Sequence, residues 1–228
     1  LFRSALSSNE ASMIRRSFLS SLGLLLVPFD ALAEGVLPQS EGETGAALAA
    51  IATARKGQKS LVAPFKQTRV VGLLAEAVES KGELSVVMPT DLRWELFAPD
   101  NVIYWVSKSG VAYKTAKAAK ATQAPSGGGF NAMLGDLLAF LSGDVASLGA
   151  RYELAAKVES DGAVSVTALP KEAALKKAVS KIAMRTNPEK WGVSKVIIEE
   201  PSGDQSTIVF DANQRNVSVD PAKMRAPV

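Results

Sequence analysis

The stretch from Gly82 to Tyr113 constrains the fold most, because it holds the highest density of strand signals in the chain. Apolar residues alternate along two segments, one centred on Val86 and one on Trp94. Prolines, Asp-Asn and Ser-Gly separate the segments, as in an antiparallel meander with short turns. Both faces of these strands carry bulky apolar side chains, whereas a sheet with one wet face alternates more cleanly. The sequence therefore predicts a sheet whose second face is covered by helices or by another apolar group.

The composition excludes several classes of site. The 228-residue chain contains no Cys and no His, which excludes disulfides, thiolate or imidazole metal sites and His-dependent nucleophiles. Its 26 basic and 23 acidic residues make a mixed surface, unlike the concentrated basic face of a nucleic-acid binder. No carboxylate pair has a telling spacing, since Glu199 and Glu200 point to opposite faces of a strand. We therefore expect no enzyme activity, metal, cofactor or nucleic-acid partner, and an enzyme acting on lipid or cell-wall substrates is the least favoured alternative.

The N-terminal region has the three parts of a secretory signal. Arg15-Arg16 precedes an apolar run of about a dozen residues and a small-x-small site that ends at Ala33. The arginine pair resembles a twin-arginine signal, and either export route stays open. The run is shorter than the roughly 20 residues of a membrane span, the alternative being a retained anchor. We expect a periplasmic protein cleaved near Ala33, with an upstream extension at 1–12, a signal peptide at 13–33, a linker at 34–43 and one domain at 44–228.

A second informative feature is a helix with a continuous apolar stripe, stopped at Gly143. The plain interpretation is core packing against a sheet, and the sharper one is a lid over an apolar cavity. A phosphate-binding loop fits poorly, because Gly127 to Gly129 lack a following Gly-Lys-Ser/Thr. The stripe consists of Phe130, Met133, Leu134, Leu137, Leu138 and Leu141.

The remaining segments predict more strands than helices. Thr44 is a plausible N-cap for a helix over 45–56. Ser60 to Arg69 is typical of a strand, in which Pro64 indicates an edge or a bulge. Hairpin signals at Asp161-Gly162 and around 201–204 follow later, and a strand is predicted from about Ala178. Nine to eleven strands with two or three helices favour a strongly curved antiparallel sheet.

Several short motifs, in this order behind an export signal, resemble the periplasmic outer-membrane lipoprotein carrier (LolA) family. They are Phe65-x-Gln67, Gly82-x-Leu84, Pro89, and Arg93-Trp94-Glu95 followed by Pro99. The resemblance implies a mainly β fold: an unclosed barrel of about 11 antiparallel strands with helices over its apolar concave face. It also implies a monomer that takes acylated lipoproteins from an inner-membrane ABC transporter and passes them to an outer-membrane receptor.

On this basis, we expect every second residue on two paired strands to point into the cavity and line it. Apolar residues from later strands are expected to complete the lining. The apolar stripe of the helix closes over them as a lid, and for each residue the alternative is a filled core position. The expected lining residues are Leu84, Val86, Met88, Leu92, Trp94 and Leu96, with Ile182, Met184, Ile208 and Phe210.

The chain departs from the family pattern at two places. The family often has a basic residue before the proline, where it hydrogen-bonds the lid helices, but Met88 occupies that position. Arg93 has the opposite strand parity, so we expect it to pair with a carboxylate on the outer face. The C-terminal extension is reduced to 220–228, which bears on handover to a receptor. The main alternative to a carrier is a lipid-sensing regulatory module of the same fold, or a carrier of another acylated lipid.

Overall fold

The computed structural model describes residues 41–72, 77–124, 129–142 and 144–227. The predicted extension and signal peptide lie outside the described residues, as do 125–128 of the glycine-rich connection. The side chains of the predicted lid residue Phe130 and of residues 131, 132, 145 and 146 lie outside them too. The part of the chain N-terminal to α1 therefore stays a prediction. Among the described residues, no helix is long and apolar enough to cross a membrane.

The described chain forms one antiparallel sheet of twelve strands with four helices, and the sheet does not close into a barrel. Its order is β6-β5-β4-β3-β2-β1-β11-β10-β9-β8-β7, and β12 pairs with β1. The predicted unclosed antiparallel barrel with covering helices is thereby confirmed. The helices are α1 Glu41–Ala54, α2 Gly129–Ser142, α3 Val145–Arg151 and α4 Ala173–Lys176. The strands are β1 Ser60–Val70, β2 Val78–Val87, β3 Asp91–Leu96, β4 Val102–Ser107, β5 Gly110–Thr115, β6 Thr122–Gln123, β7 Tyr152–Val158, β8 Val164–Pro170, β9 Lys181–Thr186, β10 Val193–Glu199, β11 Gln205–Phe210 and β12 Gln214–Arg215.

Some local predictions were wrong in detail. Helix α1 begins at Glu41, so Thr44 is not its N-cap. Two acidic residues in its first turn suit the positive end of the helix dipole. Strand β9 begins three residues later than expected, at Lys181. The prediction missed α3 and the two-residue strands β6 and β12, because such short elements carry little periodicity.

Pro64 does not lie on an edge strand, because β1 is at the centre of the sheet. On one side β1 pairs with β12 up to Val62 and with β11 from Phe65 onward. Pro64 lies at this change of partner, and its carbonyl oxygen accepts a hydrogen bond of 2.9 Å from the Asp211 N–H. A gap in the ladder tolerates a residue that has no N–H to donate.

The register brings the apolar residues of the central strands onto one face, here called the inner face. Leu84 lies opposite Trp94, and Phe65 lies opposite Gly82. The rings of Phe65 and Trp94 are 4.1 Å apart, and Phe210 completes the aromatic group. A side chain at Gly82 would overlap the Phe65 ring and the backbone of β3, so only glycine fits there. This contact joins Phe65 and Gly82, two of the residues on which the family resemblance rests.

Candidate functional site

The candidate site is the inner face of the sheet beneath α2. Of the ten residues expected to line a cavity, eight are buried, and Met88 and Leu96 pack half-buried against the same cluster. The five described lid residues, Met133, Leu134, Leu137, Leu138 and Leu141, are buried in that cluster too. The structure therefore brings the two predicted sets together in one continuous apolar layer. That these residues bind lipid stays a prediction.

In this conformation α2 fills the concave face. The cavity beneath it measures about 10 Å³, which is room for about one water molecule. Sites for small organic ligands usually measure hundreds of Å³. The predicted lining residues are thus core residues while α2 is closed, and an acyl chain needs α2 to move. The cavity is lined by Met133, Asp136, Leu137, Leu148, Tyr152, Ala168, Ile182, Met184 and Val196.

One polar group of α2 points into this apolar layer. The Asp136 carboxylate is 5% exposed and accepts hydrogen bonds from the Tyr152 hydroxyl and the Arg151 guanidinium. Burial raises the pKa of Asp136, while the bonds to Tyr152 and Arg151 act in the opposite direction. Burial and the neighbouring carboxylate likewise raise the pKa of Tyr152. Asp136 therefore ties the middle of α2 to the start of β7 at the cost of desolvating a carboxylate.

A second polar contact holds the C-terminal end of α2. Arg55, just after α1, donates a hydrogen bond to the carbonyl oxygen of Phe140 and another of 3.3 Å to that of Trp191. Its guanidinium also lies 4.5 Å from the centre of the Phe140 ring. Carbonyl groups in the last turn of a helix lack intrahelical partners, so Arg55 satisfies one of them. Burial disfavours the charged form of Arg55 and lowers its pKa to about 9.

The sequence did not reveal either contact. Arg55 and Phe140 are 85 residues apart, and Asp136 and Tyr152 lie on different elements. A carboxylate beside the apolar stripe of α2 was the available signal. Met88, for which the resemblance implied a basic residue, packs half-buried against the apolar cluster. The polar contacts to α2 come from Arg55, Arg151 and Tyr152 instead.

Arg93 pairs with a carboxylate as expected, with 2.7 Å between its Nη1 and Oε2 of Glu95. The structure adds that Arg93 is buried at this position, with only 7% of its surface exposed. The C-terminal segment lies over this part of the outer face. The indole N–H of Trp105, which lies opposite Arg93, donates to the Lys223 carbonyl oxygen at 2.8 Å, and Met224 is buried. The C-terminal segment therefore covers part of the outer face of β3 and β4.

The pKa shift of Asp136 predicts a measurable pH dependence. A raised folded-state pKa means that this carboxyl stabilises the fold fully below its ordinary value of 3.8 and loses that contribution as pH rises through the folded value. We expect Asp136→Asn to remove this component from the free energy of unfolding, measured in urea at a series of pH values.

A matched control is Asp161→Asn on the outer surface. The hydrogen bond from Arg185 lowers the pKa of Asp161, so its contribution is present above 3.8 and is lost on acidification. The two variants should therefore differ from the wild type with opposite slopes. Equal slopes would mean that burial does not govern Asp136.

The family model of the outer membrane lipoprotein carrier protein LolA matches residues 56–225. The chain belongs to this family. The match begins just after Arg55 and includes the whole sheet and α2 to α4. No curated protein matches the sequence of this chain significantly.

The solved structures that superpose on this chain are distant from it in sequence. A DUF1329 family protein from Desulfovibrio piger superposes with a TM-score of 0.51 at 8% identity, covering 80% of this chain and 97% of that one. A putative outer membrane lipoprotein-sorting protein domain from Vibrio parahaemolyticus gives 0.48 at 7% identity, covering 79% and 97%. A LolA superfamily protein from Nitrosomonas europaea gives 0.42 at 8% identity, covering 80% and 97%. At these identities the likeness concerns the fold alone.

Proposed function

We propose that the protein is a periplasmic carrier that binds the acyl chains of lipoproteins between α2 and the inner face of the sheet. The observation that carries this proposal is the continuous apolar layer between them, which α2 closes with its own apolar stripe. Shielding an acyl chain from water is worth about 0.8 kcal/mol per methylene group. A soluble carrier therefore needs a large apolar surface that can be uncovered and covered again.

Binding on this model is an exchange of apolar partners. Hydrophobic contacts are not directional, so acyl methylene groups can replace the leucines of α2 against the sheet at little net cost. The polar contacts of Asp136 and Arg55 are directional, and they favour the closed position of α2. When α2 opens, both charged groups regain water, which offsets part of the lost hydrogen bonding. The closed state is then stable enough to hide the apolar layer and weak enough to open.

The carrier role also includes a route. In this proposal the protein acts as a monomer, receives lipoproteins from an inner-membrane ABC transporter and delivers them to an outer-membrane receptor. No covalent chemistry is needed, since acyl transfer between apolar sites is reversible binding. The family description as a lipoprotein carrier supports this assignment.

The deciding experiment is mass spectrometry, native and then denaturing, on protein purified from the periplasm without detergent. We expect a stoichiometric lipoprotein or acylated lipid, and uptake of a fluorescent fatty-acyl probe by the emptied protein. An empty protein that also refuses the probe would refute the carrier role. Specific capture of one membrane protein, without acyl cargo, would favour the regulatory alternative.

A matched pair of variants locates the probe site. Leu137→Glu places a carboxylate in the apolar layer beneath α2, and we expect at least a tenfold loss of probe affinity because a charge is costly there. Val209→Glu makes the same kind of change at an outer-face residue that is 42% exposed, and probe affinity should not change. Circular dichroism of both variants checks that the sheet is intact. Equal affinities in both would place the probe elsewhere.

A further inference from the structure

A row of mostly basic side chains crosses the outer face of the sheet, opposite α2. Seven neighbouring strands, which lie in the sheet order β2-β1-β11-β10-β9-β8-β7, each contribute one residue to the row. With strands about 4.8 Å apart, the line is roughly 29 Å long. This basic row consists of Lys81, Lys66, Val209, Lys195, Arg185, Ser165 and Lys157.

The basic row contains two pairs of like charges on adjacent strands. Lys66 lies directly opposite Lys81, and Lys195 lies directly opposite Arg185. Like charges in such positions destabilise a sheet, so the fold gains nothing from this arrangement. We therefore infer that these paired charges interact with an anionic group outside the sheet.

Part of the basic row is already neutralised. At the β7 end, Arg185 pairs with Asp161 at 2.5 Å and Lys157 with Glu159 at 3.6 Å. Lys66, Lys81 and Lys195 form no ion pair with any residue that the structure describes. The uncompensated charge is therefore concentrated on β2, β1 and β10.

Two carboxylates share the outer face with Lys66 and Lys81. Glu79 and Glu83 flank Lys81 two residues away on the same face of β2, at roughly 7 Å. Glu83 accepts a hydrogen bond of 3.3 Å from Ser85. Because Lys66 lies opposite Lys81, the same two carboxylates are also its diagonal neighbours across β1 and β2. Lys195 has no carboxylate two residues away on its own strand.

Exposed apolar side chains accompany the lysines. Val209 lies between Lys66 and Lys195 in the basic row and is 42% exposed. Phe97, whose N–H donates to the Lys81 carbonyl oxygen at 2.8 Å, is 43% exposed at the β2 end. Long-stemmed cations with apolar groups between them are typical of surfaces that bind the headgroup region of a bilayer.

The chemistry of the cations favours lipid phosphates over protein carboxylates. The three uncompensated groups are all lysines, which act as mobile point charges without a fixed geometry. Specific recognition of a carboxylate more often uses the planar fork of arginine. A bilayer surface offers many mobile phosphates along the whole length of the basic row.

We propose that the basic row docks the protein onto a bilayer surface rich in anionic phospholipid. Since the row lies on the face opposite α2, the docked protein keeps its candidate acyl site accessible to a partner. This proposal does not depend on acyl binding, and the two are tested separately.

The test is co-sedimentation of the full chain with vesicles of phosphatidylglycerol and phosphatidylcholine. Each lysine near an anionic surface contributes about fivefold to the partition coefficient. The triple variant Lys66→Gln, Lys81→Gln, Lys195→Gln should therefore partition on the order of a hundredfold more weakly. Binding of the wild type should also be lost in about 1 M salt, where the Debye length falls to about 3 Å.

A control triple removes the same net charge from exposed lysines outside the basic row: Lys117→Gln, Lys120→Gln, Lys177→Gln. It should bind vesicles within about twofold of the wild type, since those residues lie outside the seven strands that carry the basic row. Equal losses in both triples would overturn the proposal in favour of a general charge effect. Wild-type protein that ignores anionic vesicles but binds poly-glutamate would overturn it in favour of an acidic protein partner.

The variant should remain folded, because replacing Lys66 and Lys81 removes a like-charge pair. Its thermal midpoint should equal or exceed that of the wild type, and its uptake of the fatty-acyl probe in the absence of vesicles should not change. A variant that lost both vesicle binding and probe uptake would contradict a separate docking surface.

Discussion

Trp94→Ala is expected to lower the free energy of unfolding by about 3–5 kcal/mol, as for other large aromatic side chains removed from a core. Trp94 has no exposed surface. Its ring lies 4.1 Å from that of Phe65 and meets the edge of Phe210 at 6.1 Å. The neighbours cannot collapse fully into the space, because Leu84 and Tyr104 hold the flanking strands in register. Urea unfolding with a constant m-value measures the loss.

Phe97→Ala is the matched control. Phe97 is an aromatic residue that directly follows β3, the strand of Trp94, and it is 43% exposed. We expect a change of less than about 0.5 kcal/mol there, as for most surface substitutions. The comparison also bears on the state of the site. If Trp94 lined an open cavity in the unliganded protein, its loss would cost as little as that of Phe97.

The strand pattern predicted the inner face well, for a physical reason. The side-chain period of a strand is two, so the parity of Leu84, Val86, Leu92 and Trp94 decides their face once the strands pair. The helical stripe of α2 predicted its apolar partner in the same way. Both are local patterns, and each segment carries them in its own sequence.

The sequence could not predict whether the inner face is open or filled. That depends on how α2 packs over the sheet, and packing density is a property of the whole fold. The sequence could not predict the burial of Arg93 either, because the segment that lies over this part of the sheet is distant in sequence. Trp105, opposite Arg93, bonds Lys223 across 118 residues. The hydrogen bonds of Asp136 and Arg55 were not predicted, because the partner of a buried polar side chain depends on the tertiary structure.

Arg55→Met is expected to raise the apparent affinity for a fatty-acyl probe by about tenfold or more. A hydrogen bond that involves a charged group contributes about 1.5–3 kcal/mol. Methionine keeps the packing volume of the arginine stem, but it leaves the carbonyl oxygens of Phe140 and Trp191 without their donor while α2 is closed. Opening lets water reach the Phe140 carbonyl, so the open fraction rises and the apparent dissociation constant falls in proportion. Fluorescence titration with the probe measures the change.

Arg69→Met is the control for this substitution. Arg69 is an exposed arginine on β1 that pairs with Glu200 at 3.2 Å and Asp204 at 3.5 Å, so its loss should leave probe affinity unchanged. Surface ion pairs of this kind contribute little to stability. Unchanged affinity in Arg55→Met, with an unfolding curve like that of the wild type, would show that Arg55 does not restrain α2. Tighter binding confined to Arg55→Met would instead mean that the closed position of α2 competes directly with the acyl chain, as an exchange of apolar partners requires.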